Sequence, residues 1–425
     1  HSTGREKEGQ RAIRMVTKES QKSSPHGVRK SSCGNFTRVV MASMLVLMGG
    51  FVASRLYALD ISDVLLGTEP TPHGMEMCSH VSGPKGMEDV QIVGGRFAYF
   101  SADSREWVHR QHREFIGREE SQLGVKEGAL YVLDLLDEQA PLRQIQLKGY
   151  FNRLFPHGIN VFVDPAPTSL SPEITLMVVN HGAVESVDIF RSRLGDDTAE
   201  YVESVPSPWE GQLNDIVILN PASFFVSLWI PFPDGSRKTL LSAALGLKLT
   251  FVAHCSRNDQ YGWSCNKVVD SLMMANGVAL SNDKRTLFVA DSLAKGVYSY
   301  HVDPDHSALT FEKFYKIGYS VDNVNIAEDG SLWIGSHPNI FRFILYLKGK
   351  GGPPGSQVFR VWPHKQHVVE EILVAEGSEF SASCSAAALG DSFLVSSVFD
   401  AGFLRCKLPD RRSGRVHAFS YVDQL

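Results

Sequence analysis

Adjacent pairs of carboxylate and carboxamide side chains are the residues of this sequence with the clearest capacity for chemistry. Three such pairs occur, namely Glu88-Asp89, Asn214-Asp215 and Asp322-Asn323. Because neighbouring residues in extended backbone point to opposite faces, each pair can send one oxygen ligand upward and the next downward. Calcium takes about 6–8 oxygen ligands and accepts carboxylate, amide and carbonyl oxygens together. If the pairs converge, they predict two stacked calcium sites.

The pairs, together with Asn276, can be divided between an upper and a lower ion. We expect the upper ion to be bound by five side chains: Glu88, Asn214, Asn276, Asp322 and Asn323. The lower ion would take Asp89, Asp215 and a backbone carbonyl. A single pair is ordinarily explained by an Asx-turn or a capping role. Three pairs plus Asn276, each in a loop before a β-rich run, favour the metal sites instead.

Two histidines follow the same pattern of polar residues at predicted strand ends. His157 lies in Pro-His-Gly and His181 in Asn-His-Gly, and glycine lets other backbone approach closely. A histidine near a cation resists protonation and stays a competent base, while a second one can orient it or relay its proton. The alternative is that both are hydrogen-bonded structural residues. His337 is predicted to be a pocket wall, and no serine-nucleophile, Walker, His-Glu-x-x-His or CxxC motif occurs.

The elements that must position these residues are short β-rich runs bounded by Gly, Asp, Asn and Pro. Six runs recur at spacings of roughly 45–80 residues, at 96–100, 175–179, 223–226, 286–289, 331–334 and 392–395. This repetition predicts an all-β, six-bladed β-propeller, with a large sandwich or jelly roll as the alternative. In a propeller, loops at one end of the inner strands surround the central channel, which is where the polar pairs are expected.

Charge and hydropathy divide the chain into three parts. Residues 1–38 carry nine Lys/Arg against three Glu and are predicted to be a disordered leader. Residues 39–58 are apolar and predict a signal-anchor or a cleaved signal peptide, with a buried core helix as a third reading. The first would place the body, residues 60–425, outside the cytosol as a type II protein, and the second would secrete it. The rest of the chain has a net charge near −11, and this negative charge argues against a nucleic-acid partner.

The six cysteines suit an oxidising compartment. Cys255 and Cys265 could form a local bridge, which leaves Cys384 alone. Cys78 and Cys406 lie near the two ends of the body, where a bridge would clamp the closure of the ring. The alternative for these two is a pair of unpaired buried thiols.

Several motifs together resemble the paraoxonase/arylesterase family, and the resemblance runs from about Cys78 to Cys406. They occur in the family's order: FPHGI at 155–159, VVNH at 178–181, LNDIV at 213–217, ANG at 275–277, VDN at 321–323 and LWIGSHPN at 332–339. The resemblance implies a six-bladed propeller with two calcium ions in its tunnel, the upper one catalytic and the lower one structural. It also implies a disulfide between Cys78 and Cys406 and a retained N-terminal hydrophobic segment.

The resemblance extends to the roles of individual residues. The positions that match the family's catalytic-calcium ligands are Glu88, Asn214, Asn276, Asp322 and Asn323, and those of the structural site are Asp89, Asp215 and the carbonyl of Ile159. His157 and His181 match its proposed His dyad, with Asp322 as an alternative base or nucleophile. The implied activity is calcium-dependent hydrolysis of lactones, with aryl esters as side substrates.

Departures from the family pattern concern the pocket walls. Ser336 stands where several relatives carry a free cysteine, Met274 replaces an aromatic wall residue, and Cys384 falls near another wall position. Val398 and Phe399 near the expected mouth are apolar, which favours a small lipophilic lactone or ester over a sugar lactone. A different class of function remains open, a membrane-tethered, calcium-stabilised propeller that binds another protein and catalyses nothing. The oligomeric state is not indicated.

Overall fold

Six mainly antiparallel β-sheets surround a common channel in the computed structural model of this chain. The structure describes residues 33–66, 68–104, 127–165, 171–232, 237–304, 306, 308–364 and 368–409. Each sheet is one blade, and five of the six have four strands while the second has five. The fold class is therefore the predicted six-bladed β-propeller.

Within the described residues the blades are built as follows. Blade 1 contains β2 (Met87–Val93), β3 (Phe97–Ala102), β4 (Ala129–Asp134) and β5 (Arg143–Gln144), and blade 2 contains β6 (Gln146–Lys148), β7 (Pro156–Val163), β8 (Glu173–His181), β9 (Glu185–Arg193) and β10 (Thr198–Pro206). Blade 3 contains β11 (Gln212–Asn220), β12 (Ser223–Ile230), β13 (Thr250–Asn258) and β14 (Gly262–Leu272), and blade 4 contains β15 (Ala275–Leu280), β16 (Thr286–Asp291), β17 (Gly296–Val302) and β18 (Leu309–Lys316). Blade 5 contains β19 (Ser320–Ile326), β20 (Leu332–His337), β21 (Ser356–Trp362) and β22 (Val368–Ala375), and blade 6 contains β23 (Ser383–Leu389), β24 (Ser392–Ser397), β25 (Ala401–Lys407) and β1 (Cys78–Lys85).

Counted outward from the axis, the first strand of each blade faces the channel. These six strands contact one another in a ring, which runs β2, β7, β11, β15, β19, β23 and back to β2. Apolar side chains of neighbouring blades pack between the sheets, as where Met177 and Val187 of blade 2 meet Ile216 and Phe224 of blade 3. The hydrophobic core is therefore a series of inter-blade layers that hold the inner strands around the axis.

The sequence prediction was wrong about which strand is innermost. The six β-rich runs are the second strands of their blades (β3, β8, β12, β16, β20 and β24), not the inner ones. The polar pairs lie within the innermost strands β2, β11 and β19, not in loops before them. Asp and Asn are depleted in ordinary strands, so an inner strand that begins with them has the sequence pattern of a turn.

Each of the six inner strands has an irregular register where it pairs with the second strand of its blade. The shifts fall at Met87/Asp89, Pro156/Ile159, Leu213/Ile216, Ala275/Val278, Val321/Val324 and Ser383/Ala386. A bulge leaves residues out of the ladder and redirects their side chains. These six irregularities lie near the starts of the inner strands, at one end of the channel, and β11 has further shifts at Gln212/Leu213 and Ile218/Asn220.

The ring closes as predicted, because the N-terminal strand β1 pairs with the last strand β25 in blade 6. Cys78 and Cys406 are direct partners in this register and form a disulfide. A second disulfide joins Cys255 and Cys265 across β13 and β14, and among the described cysteines Cys384 is free and buried.

The chain divides into two units, His1–Phe51 and Val52–Leu425. Helix α1 (Cys33–Ala58) begins in the first unit, and its 21-residue segment Arg38–Ala58 is long and apolar enough to cross a membrane by length and composition. The predicted leader, residues 1–38, lies largely outside the described residues. Three further α-helices are described in the second unit, α2 (Ile61–Leu66), α3 (Arg237–Leu245) and α4 (Ile340–Leu347), together with a short 3-10 helix at Met75–Met77.

Candidate active site

The residues expected to bind the upper ion lie on four of the inner strands. Glu88 is on β2, Asn214 on β11, Asn276 on β15, and Asp322 and Asn323 are on β19. None of the five is more than 6% exposed. The fold therefore carries five polar side chains into the inside of the channel, which is a costly arrangement unless each finds a partner.

Contacts join these side chains to His157 on β7. The Oε1 atom of Glu88 lies 3.3 Å from Nε2 of His157 and accepts a 2.9 Å hydrogen bond from the amide of Asn323. The amide of Asn214 lies 3.3 Å from the same His157 nitrogen. Three inner strands thus meet at His157 Nε2, and a fourth, β19, joins them through Glu88. The amide of Asn276, on a fifth strand, donates to Ser292 at 3.1 Å.

Three amide oxygens of this cluster have no hydrogen-bond partner among the described residues. They are the Oδ1 atoms of Asn214, Asn276 and Asn323, and all three are buried. Leaving a buried acceptor unsatisfied costs about 1–3 kcal/mol, so three in one place are unusual. Amide oxygens are hard ligands of the type that calcium prefers. The donor set at this end of the channel fits a hard cation.

The two carboxylates predicted for the lower ion each accept hydrogen bonds from backbone N–H groups of their own strand and of a neighbouring inner strand. Asp89 accepts the N–H of Ile159 at 3.0 Å and that of Val90 at 2.8 Å. Asp215 accepts the N–H of Val278 at 2.8 Å and that of Ile216 at 2.7 Å. Asp89 thereby links β2 to β7, and Asp215 links β11 to β15. The two carboxylates therefore stabilise the ring of inner strands.

Burial and repulsion between the carboxylates shift the pKa values of this layer upward. Burial, together with the negative charge of Glu88, raises the pKa of Asp89 to about 7. Burial, together with the charge of Asp89, raises the pKa of Asp215 well above its usual value. A divalent cation between such groups would relieve both effects, since it supplies an opposite charge at close range.

The structure also links His157 to a carboxylate that sequence reasoning missed. Nδ1 of His157 lies 2.6 Å from Nε2 of His181, and Nδ1 of His181 lies 2.9 Å from Oε1 of Glu185. Glu185 also accepts the backbone N–H of Leu213 at 2.7 Å. An ionised carboxylate only accepts, so His181 carries its proton on Nδ1 and accepts at Nε2. His157 then donates its Nδ1 proton to His181, and its Nε2 atom faces Oε1 of Glu88 and the amide of Asn214.

His337, expected as a pocket wall, is bonded to Asp322 instead. Its Nε2 atom lies 2.9 Å from Oδ2 of Asp322, and it is 3% exposed. Burial raises the pKa of Asp322, and the hydrogen bond from His337 lowers it in part. The ring of Phe343 stacks on His337 at a centroid distance of 4.3 Å. His337 therefore orients a candidate ligand from behind.

Apolar and aromatic side chains surround the polar cluster. The ring of Trp229 meets His157 edge to face at 5.7 Å, and Phe399 packs on Phe343 at 5.3 Å. Cys384, expected near a wall, is fully buried with its thiol 2.8 Å from the carbonyl of Glu88. It supports β2 from behind. Ser336 is also buried and donates to the carbonyl of Ser320.

The large cavity of the channel, about 650 Å³, lies at the other end of the inner strands. It is lined by late residues of those strands, such as Gln91 and Asn325, and by the turns that follow them. None of the predicted site residues lines it. The candidate histidines and the unsatisfied amide oxygens lie at the opposite end of the inner strands.

Within the described part of the chain, no three His, Cys, Asp or Glu side chains are close enough to form a metal cluster by themselves. The predicted upper site does not require one, because three of its five side chains are asparagines. The chemistry of the donor set, rather than a ready cluster of charged ligands, is what fits calcium here.

Fold and site together define a class, a six-bladed β-propeller with a buried carboxylate, carboxamide and histidine centre at one end of its channel. A sequence model of the arylesterase family matches residues 120–408, which is more than half of the chain. The chain belongs to the arylesterase family. It is an ester-hydrolysing enzyme of the lactonase and esterase kind.

Individual relatives agree with the family match. The chain is 26% identical to serum paraoxonase/arylesterase 2 of Rattus norvegicus over 87% of its own length and 99% of that protein. It is 28% identical to serum paraoxonase/lactonase 3 of Homo sapiens over 64% of this chain and 75% of that protein. Among solved structures, a luciferin-regenerating enzyme is 13% identical with a TM-score of 0.45 over 80% of this chain and 94% of that one.

Proposed function

We propose that this chain is a calcium-dependent hydrolase of lactones, with aryl esters as side substrates, and that a His dyad activates the attacking water. The observation that carries the proposal is the set of three unpartnered amide oxygens, on Asn214, Asn276 and Asn323, in the polar cluster that His157 contacts through Asn214 and Glu88. The family match supports ester or lactone hydrolysis at the level of the whole family.

Two ions would be held by the two layers of polar residues. The upper, catalytic ion would be bound by Glu88, Asn214, Asn276, Asp322 and Asn323, and the lower, structural ion by Asp89, Asp215 and the carbonyl of Ile159. When bound, the upper ion would supply a Lewis acid for the carbonyl oxygen and for the oxyanion that forms from it.

The side chains of this chain would handle the proton. His157 takes a proton from water at Nε2 as the water attacks the carbonyl carbon, and its Nδ1 hydrogen bond to His181 spreads the resulting positive charge toward Glu185. The ring C–O bond then breaks and the proton goes to the leaving alkoxide, which yields a hydroxy acid. Asp322, held by His337, is the alternative base or nucleophile.

The walls support a lipophilic acyl or ring substituent. Trp229, Phe343 and Phe399 offer ring surfaces around the polar centre. A sugar lactone would leave several hydroxyl groups facing such surfaces without hydrogen-bond partners, which is unfavourable. A small lipophilic lactone or ester is therefore the substrate class that the pocket favours.

We place the enzyme in the secretory pathway, either tethered by the segment 39–58 as a type II protein or secreted. Two disulfides within the described residues support an oxidising compartment. The 21-residue apolar segment Arg38–Ala58 supports a membrane tether, by length and composition.

Hydrolysis of a panel of γ- and δ-lactones and aryl acetates, with and without chelator, tests this proposal. We expect turnover that requires calcium, favours longer acyl chains, and falls about 10²-fold in His157→Gln at unchanged calcium affinity. Thermal melting is followed in parallel. A chain that calcium stabilises but that hydrolyses nothing would point instead to the tethered binding protein.

A further inference from the structure

Asp60, which follows the end of α1, is buried in the propeller far from its own part of the sequence. It is 0% exposed and forms an ion pair with Lys295, which is 6% exposed. Lys295 Nζ also donates to the carbonyl of Tyr57 at 3.0 Å. The backbone of Asp60 has a φ of 55°, a conformation that non-glycine residues adopt uncommonly. An isolated buried pair of this kind is expensive and is retained only where its geometry is satisfied.

The first partner, Lys295, lies in the turn between β16 and β17, which is joined to Asn276 and to the start of β19. Ser292 in this turn accepts the amide hydrogen bond of Asn276 at 3.1 Å. The carbonyl of Lys295 accepts the N–H groups of Ile317 and Gly318, each at 3.0 Å. These two residues lead directly into β19, the strand of Asp322 and Asn323.

The second partner is the start of α4. Asp60 Oδ2 accepts the N–H of Ile340 at 3.0 Å, and the carbonyl of Asp60 accepts the side-chain amide of Asn339 at 3.1 Å. Asn339 is also the N-cap of α4, since its side-chain oxygen accepts the N–H of Arg342 at 2.9 Å. His337, which orients Asp322, comes two residues earlier in the chain.

Asp60 therefore bonds to segments that lead to Asn276, to β19 and to His337. We propose that Asp60 and Lys295 are positioning residues for the metal-binding end of the channel, so that residues 57–60 are an integral part of the active-site scaffold. This inference rests on the proposed calcium site. Supporting residues outside the ligand set commonly change metal affinity or activity by about 10–100-fold.

The test compares Asp60→Asn with Asp329→Asn in the full-length chain. Asn keeps an acceptor for the N–H of Ile340 but leaves Lys295 buried without its counter-charge. Asp329 makes the matched control, because it pairs with the buried Arg360 at a turn near the opposite end of the channel. Calcium affinity is measured by calorimetry on chelator-treated protein, together with kcat for an aryl acetate and the melting temperature in excess calcium.

We expect Asp60→Asn to raise the calcium Kd and lower kcat by about tenfold each, while Asp329→Asn changes both by less than about twofold even if it melts earlier. Equal calcium affinity and kcat in the two variants would overturn the inference. If the unsubstituted chain binds no calcium, the proposed metal site fails, and the kcat ratio of the two variants then decides the positioning role separately.

A milder variant covers the case in which Asp60→Asn does not fold. Asn339→Ser keeps an oxygen for the α4 N-cap but is too short to donate to the carbonyl of Asp60. Loss of this one hydrogen bond should raise the calcium Kd by about threefold with the melting temperature close to that of the unsubstituted chain. An unchanged calcium Kd in Asn339→Ser would contradict the inference.

Discussion

A chain of hydrogen bonds, rather than any single histidine, defines the candidate base. Glu185 accepts from His181, His181 accepts from His157, and the Nε2 atom of His157 is left facing the polar cluster. The tautomers follow from the carboxylate at the end of the chain, because it can only accept. Removing the Glu185 carboxylate should therefore change the protonation of His157, to which it is connected through His181.

Glu185→Gln should lower kcat by about 10²-fold with little change in KM or in calcium affinity, since general-base catalysis contributes about 10²–10⁴-fold. Gln can turn its NH₂ toward His181 and impose the wrong tautomer, and its neutrality removes support for the protonated dyad. The acidic limb of the pH–rate profile should also move to lower pH. Glu203 lies on the same blade as Glu185 and pairs with Arg257 of blade 3, so Glu203→Gln is the control. A kcat and a pH profile that match this control would exclude Glu185 from the relay.

The candidate metal ligands could be predicted from residue types in the sequence, but the residues that hydrogen-bond to the histidines and to Asp322 could not. The adjacent Asp, Asn and Glu residues were recognisable because three such pairs, together with Asn276, recur before β-rich runs. Glu185 gave no comparable signal, because a lone glutamate before a strand is usually a solvated residue. His337 was visible beside Pro and Asn, yet its role as the partner of Asp322 depends on the pairing of β19 with β20.

At the scale of the elements, the inner strands are shaped by close contacts between neighbouring backbones. A Cβ atom on Gly158 of β7 would lie 2.6 Å from the Cα of Asp215 and 2.7 Å from the carbonyl oxygen of Asn214, both on β11. A Cβ on Gly277 of β15 would lie 2.5 Å from the Cα of Asn323 on β19. These glycines allow the inner strands to approach closely enough for their polar side chains to meet.

Gly158→Ala should destabilise the body by at least about 1–3 kcal/mol and weaken calcium binding, because the clashing atoms are mostly backbone that cannot rotate away. Thermal melting and calcium calorimetry measure the two effects. Gly352→Ala is the matched control, since a Cβ there meets nothing within 4 Å. Equal melting temperatures and calcium affinities for the two alanine variants would show that β7 and β11 can move apart without cost.

The order of strands within a blade could not be predicted from the sequence, although the number of blades could. The second strand of each blade, counted from the channel, is an uninterrupted β-rich run that is paired on both sides within its sheet. The inner strand carries the bulge and the polar residues, so its pattern is interrupted where function requires it. The most regular β-rich pattern in the sequence therefore belongs to the strand beside the inner strand, and not to the inner strand that carries the candidate ligands.

At the scale of the whole molecule, ring closure depends on β1 pairing with β25 and on the Cys78–Cys406 disulfide. The paired cysteines are 328 residues apart in sequence, whereas Cys255 and Cys265 are separated by 10. In the chain-entropy description a bridge constrains the unfolded state more when the loop is longer. The two disulfides of the described residues should thus differ in their effect on stability.

Cys78→Ser with Cys406→Ser should lower the free energy of unfolding by up to about 5 kcal/mol, against at most about 3 kcal/mol for Cys255→Ser with Cys265→Ser. Denaturant titration of both double variants at saturating calcium measures this difference. Each variant keeps Cys384, so the number of free thiols is the same. A larger loss in the Cys255/Cys265 variant would mean that closure is secured by strand pairing alone.

Calcium removal should change the sign of the pH dependence of stability, because the lower layer gathers carboxylates from different blades. In the chelated state the pKa of Asp89 is raised to about 7, and that of Asp215 is also raised, by burial and mutual repulsion. The folded chain then binds more protons than the unfolded chain, so stability falls as pH rises from about 4 to 7. Bound calcium would favour the ionised carboxylates, and the stability it adds would be lost as pH falls. Melting temperatures at pH 5 and pH 7.5 should therefore rank pH 5 higher with chelator and pH 7.5 higher with calcium. The same ranking with and without calcium would contradict a metal ion between Asp89 and Asp215.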